Sequence, residues 1–136
     1  MCRYFSSIQN LHTNKREANP EAAADFAENR RRAVEHLRFC IELCEIQEKA
    51  GRHYLLENPA SASSWQEACV VDFVANSAGA LLCTGHQCMF GLTSRGDDGV
   101  DRAAAKLTRW LTNSPCLAEA LEVKCDGSHQ HQPLMG

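Results

Sequence analysis

A thiol at Cys2 and a carboxylate at Glu57 are the pair in this 136-residue chain that could carry covalent chemistry. Cys2 lies in Met1-Cys2-Arg3-Tyr4-Phe5-Ser6, which reads as a first loop. A nucleophilic thiol needs an electropositive or acid-assisted setting near neutral pH. Glu57 lies in Leu55-Leu56-Glu57-Asn58-Pro59, where the apolar run from Tyr54 to Leu56 reads as a buried strand. Pro59 ends that strand and stiffens the turn after it. The strand therefore delivers Glu57 and Asn58 to its C-terminal edge, where open α/β sheets bind ligands. Desolvation at such an edge predicts a raised carboxyl pKa and a proton donor at neutral pH. The alternative is a terminal cysteine without a role and a surface carboxylate on an ordinary turn.

A second group of side chains could hold a metal. Cys83, His86 and Cys88 fall close together, as do Cys125, His129 and His131. Zinc takes four such ligands, commonly two from each of two short spans. The candidate set is Cys88, Cys125, His129 and His131. Neither span carries a regular CxxC, so a core cysteine with solvent-facing tail histidines is the competing account. Most of the eight cysteines sit in apolar runs without the spacing of a disulfide framework, and read as reduced core residues.

These residues need elements to position them. Asn19-Pro20-Glu21 is a helix start, and the helix runs to about Ala50 with Gly51 as its stop. Its apolar stripe combines Phe26, Ala33 and Cys40 with Val34, Leu37, Ile41 and Cys44, so it covers a sheet on one side. Arg30, Arg31, Arg32 and several glutamates are assigned to the solvent face. After the strand at 53–57, Ser64 and Glu67 form a capping box for a helix ending near Gly79. Strands are predicted at 80–84, around 89–92 and at 108–112, the last with Trp110 on one face and Arg109 and Leu111 on the other. Residues 94–104 read as a polar loop, Ser114-Pro115 starts a short helix, and 125–136 is an irregular tail. This order predicts a single α/β layered domain, with parallel first crossovers and antiparallel later strands.

Composition narrows the classes. The chain is 44% hydrophobic and 23% charged, with a formal net charge of −3. It fits one domain with a real core. Its charge gives no general attraction to polyanions, so DNA contact would depend on local basic patches such as Arg102, Lys106 and Arg109 beside Trp110. A solvated charged face is the other account of those residues. No apolar run approaches a membrane span, and no long apolar leader is visible, which predicts no membrane partner and an intracellular protein, nuclear or cytoplasmic.

Taken in order, the motifs resemble a known family. Met1-Cys2-Arg3-Tyr4-Phe5-Ser6 resembles the Pro-Cys-x-x-Phe-Ser catalytic loop of C5-cytosine DNA methyltransferases, and Glu57-Asn58-Pro59 resembles their Glu-Asn-Val motif. The nearer likeness is to methylase-like domains of retroelement and phage polyproteins. There the stretches Leu56-Glu57-Asn58-Pro59 through Ser64-Trp65, His86 through Gly91, Lys106-Leu107-Thr108 with Asn113, and Cys125 through His131 find counterparts in order.

The resemblance implies that Cys2 is the nucleophile toward an extruded cytosine and Glu57 the acid. It implies that Asn58, Pro59, Gln87 and Asn113 shape the substrate pocket. It also implies S-adenosylmethionine as the cofactor of the parent family. The glycine-rich first strand that would hold this cofactor has no counterpart here, and the proline before the cysteine is missing. The expectation is therefore a truncated, C-terminal part of a Rossmann-like methyltransferase sheet with flanking helices, inactive alone and not binding S-adenosylmethionine. A small zinc-stabilised nucleic-acid-binding module and a structural α/β domain without catalysis are the alternatives.

Overall fold

The computed structural model describes residues 3–6, 13–14 and 18–133. Cys2 lies outside the described residues, so its expected role as nucleophile has no structural counterpart.

Helix α1 (Pro20–Lys49) begins where the sequence places it. The Asn19 carboxamide oxygen accepts from the backbone N–H groups of Glu21 and Ala22, and Pro20 opens the first turn. Gly51, at φ +66°, carries the chain out of the helix in a conformation that disfavours side chains. Ala33, Leu37, Ile41 and Cys44 form the buried stripe, while Phe26 and Cys40 stay half-exposed. Arg30 departs from the expected solvent face. Its guanidinium lies 4.5 Å over the Phe5 ring and pairs with Glu67, because a short turn at Arg3–Phe5 docks against this helix.

The first sheet holds β1 (Leu55–Pro59), β2 (Leu81–His86) and β5 (Leu107–Thr112) in the order β1-β5-β2. Both outer strands run antiparallel to β5, with Glu57 and Cys83 opposite Trp110 and Leu56 and Leu82 opposite Leu111. The expected parallel ladder does not form. β1 and β2 do run the same way, but β5 lies between them.

Alternation along β5 sends Leu111 and Trp110 to opposite faces, and both are buried. Leu111 packs with Leu37, Ile41, Tyr54 and Phe73 beneath α1 and α2 (Ala68–Asn76). Trp110 faces α3 (Pro115–Leu121), whose N-cap is Ser114. The predicted capping box is not used. Ser64 sits fully buried in a 3-10 turn (Ser63–Gln66), where its hydroxyl accepts from Asn58, and Glu67 is the N-cap residue of α2.

A second three-stranded sheet occupies the segments expected to be loop and tail. β3 (Thr93–Arg95) and β4 (Asp101–Ala105) form an antiparallel hairpin, and β6 (His131–Pro133) pairs parallel to β4. The hairpin turn is closed by Gly96 N–H to the Val100 carbonyl at 2.9 Å, and Arg102 bridges to Asp98. The strand predicted around 89–92 is instead a 3-10 turn (Gln87–Phe90) ended by Gly91 at φ +81°. The protein is thus a mixed α/β fold with two small sheets.

Candidate metal centre

Cys88, Cys125, His129 and His131 converge at the junction of the two sheets. Cys88 is delivered by the 3-10 turn that follows β2, and Cys125 by the segment leaving α3. His129 comes from the loop after it, and His131 opens β6. One ligand atom from each lies within 4.8 Å of the others.

Four of the six ligand-atom separations are close to those around a shared ion, and all six lie within 4.8 Å. Cys125 Sγ lies 3.6 Å from His129 Nε2 and 3.4 Å from His131 Nε2. The His131 nitrogen lies 3.4 Å from Cys88 Sγ, and the two imidazole nitrogens are 3.1 Å apart. Zinc bonds of about 2.3 Å to sulfur and 2.0 Å to nitrogen give tetrahedral edges of roughly 3.3–3.8 Å. The two rings stand nearly perpendicular, at 82°, so both nitrogens reach one point without stacking.

Local sequence explains the convergence. Gly127, at φ +73°, turns the chain sharply between Cys125 and His129. Its N–H donates to Cys125 Sγ at 3.4 Å, and Asp126 accepts from the Ser128 N–H at 2.9 Å. Upstream, the chain crosses β2 at Gly85, where a Cβ would stand 2.2 Å from the Leu121 carbonyl oxygen. Only glycine permits that approach. The His86 N–H then donates to the Val123 carbonyl at 2.9 Å, and the Cys125 N–H donates to His86 Nδ1 at 3.2 Å.

Cys88 is buried, Cys125 and His129 are half-buried, and His131 is exposed. Desolvation pushes the Cys88 thiol above its ordinary pKa, and the neighbouring Cys125 sulfur adds to the shift. A divalent cation reverses that penalty by taking the thiolate. Cys83, grouped with these residues by sequence, is buried in β2 opposite Trp110 and does not join them.

The residues expected to form a catalytic corner divide between two places. Glu57 is half-exposed and meets the Lys106 ammonium at 3.1 Å, rather than an apolar pocket. Asn58 is buried and donates to Ser64 Oγ at 2.6 Å. The Pro59 carbonyl accepts from the Trp65 indole at 2.9 Å. Gln87 donates to Thr108 Oγ1 at 3.2 Å, and Thr108 lies opposite Pro59. Asn113 stands at the other end of β5, where it accepts from the Tyr54 N–H and donates to the Arg52 carbonyl. It ties the start of β1 to the end of β5.

No protein family, curated protein or solved structure matches the chain. Among the described residues no helix is long and apolar enough to cross a membrane.

Proposed function

We propose that this chain is an α/β module held together by one structural zinc ion on Cys88, Cys125, His129 and His131. The observation that carries the reading is the meeting of four ligand atoms, one from residue 88 and three from 125–131, within 4.8 Å. Four protein ligands fill a tetrahedral shell, which leaves no position for water or substrate and assigns the ion a structural role. In that role it fastens the end of β2 to the start of β6, and so one sheet to the other. Metal analysis of the purified protein tests this: one equivalent of zinc and loss of structure on chelation are expected. Absence of zinc together with a fold indifferent to chelator would end the reading.

The likeness to C5-cytosine methyltransferases supplies a second reading, in which the module is a methyltransferase-like portion that contacts DNA and transfers no methyl group alone. It is favoured by the docking of the Arg3–Phe5 turn near the exit of β1, where Ser63 Oγ donates to the Phe5 carbonyl at 3.4 Å. That turn directly follows the cysteine of the catalytic-loop motif, and Glu57, Asn58 and Gln87 lie toward the same end of the sheet. Calorimetric titration with S-adenosylmethionine should give no stoichiometric heat, while a duplex carrying unpaired cytosine should bind. Clear S-adenosylmethionine binding overturns the inactivity, and failure to bind DNA removes the nucleic-acid role.

A further inference from the structure

We infer that His86 is a positioning residue for the metal centre, setting where the Cys125 sulfur stands before an ion arrives. The inference rests on the zinc reading above and adds to it a residue that is not itself a ligand. His86 holds the returning segment at two points. Its backbone N–H donates to the Val123 carbonyl at 2.9 Å, and its ring Nδ1 accepts from the Cys125 N–H at 3.2 Å. Both grips fall on one short stretch, two residues apart. Cys88 lies the same two residues beyond His86. The clamp therefore fixes Cys125 relative to Cys88, which is one edge of the metal tetrahedron.

The chemistry of the ring settles its part. Because Nδ1 accepts from the Cys125 N–H, the ring proton in this arrangement sits on Nε2. With its lone pair on Nδ1 engaged by an amide and Nε2 protonated, the ring offers no lone pair to the ion. It acts on Cys125 through the backbone alone. Partners of metal ligands in such arrangements contribute about 10–100-fold in metal affinity. The gain comes from preorganisation, since a ligand sulfur already in place has less conformational freedom to lose on binding.

Two substitutions separate this role from simple packing. His86→Leu keeps the bulk and removes the acceptor; His86→Asn removes bulk and keeps an acceptor oxygen within reach of the Cys125 N–H. Positioning predicts that His86→Leu weakens zinc binding by about 10–100-fold while His86→Asn stays near the parent. A packing role predicts the reverse order. Affinities would be read in the full chain by competition with a chromogenic chelator. Cobalt substitution would report the ligand set through its d–d and thiolate charge-transfer bands.

Both variants should keep the cobalt spectrum of two thiolates and two imidazoles. Loss of a nitrogen ligand from that spectrum in either variant makes His86 a ligand and overturns the inference. So does a His86→Leu affinity within threefold of the parent, in which case the zinc reading itself survives. If His86→Leu does not fold, a weakened His86→Asn equally overturns it. A parent chain that binds neither zinc nor cobalt removes both proposals together.

Discussion

Gly85 bears on the candidate metal centre without joining it. A methyl group there would meet the Leu121 carbonyl oxygen at 2.2 Å and the Trp110 ring at 3.1 Å. Backbone cannot yield as a flexible side chain does, so Gly85→Ala must push the segment after α3 away from β2. That segment carries Cys125. The variant should lose zinc affinity and thermal stability together, measured by chelator competition and by unfolding followed with circular dichroism. Retention of both at the parent level would show that the approach is slack. Leu111, fully buried on the helix-facing side of β5, is not part of the candidate metal cluster. Leu111→Ala should cost about 2–5 kcal/mol in urea denaturation, with zinc stoichiometry unchanged. The Glu57–Lys106 pair is a contrast: both partners are partly exposed, so Glu57→Gln should shift stability by less than about 1 kcal/mol.

Among the elements, β6 has little to hold it. It has three residues, pairs with β4 alone, and begins at His131, a proposed ligand. Strands this short are marginal without further support. Removing zinc should therefore strip hydrogen-exchange protection from the strand amides of 131–132, and leave α1 and β5 protected. Uniform loss across the chain would instead make the ion a requirement for the whole fold.

Helix α1 answers to pH rather than to metal. Glu28 is held down to about 2 by hydrogen bonds from Arg31 and then Arg32. Its folded pKa is below the unfolded value near 4.5, so the stabilisation is present above that value. It is lost as pH falls through about 2. Helical content in the first half of α1 should decline over that window, and Glu28→Gln should flatten the decline. Backbone NMR shifts of residues 24–35 would report it.

For the molecule as a whole, legibility followed the range of the interactions. The start and stop of α1 were readable because Asn19, Pro20 and Gly51 act on their own neighbours. β5 was readable from alternation. The strand order was not, since nothing local says that β5 separates β1 from β2. Nor could spacing show that Asn113 stands at the far end of β5 from Gln87. The second sheet was missed because β3, β4 and β6 are short and lack large apolar residues in alternation, and β6 pairs with a strand far away in the chain. The four proposed metal ligands were visible as residue types, while their meeting depended on Gly85 and Gly127, whose roles emerge only once two segments cross. Ser64-Trp65-Gln66-Glu67 misled for the opposite reason: a valid local capping signal lost to the burial of Ser64 against Asn58.

The order β1-β5-β2 has a consequence for how the chain can fold as it is made. The middle strand is the last of the three to be synthesised. Until residues 107–112 have left the ribosome, β1 and β2 have no hydrogen-bonding partner in that sheet, and the apolar underside of α1 lacks Leu111. Closure of long loops therefore precedes any stable sheet, which slows folding relative to a hairpin-built fold of the same size. Cys125 emerges later still. A nascent chain therefore cannot close this sheet before residues 107–112 emerge, and the proposed metal site cannot be completed before His131 does.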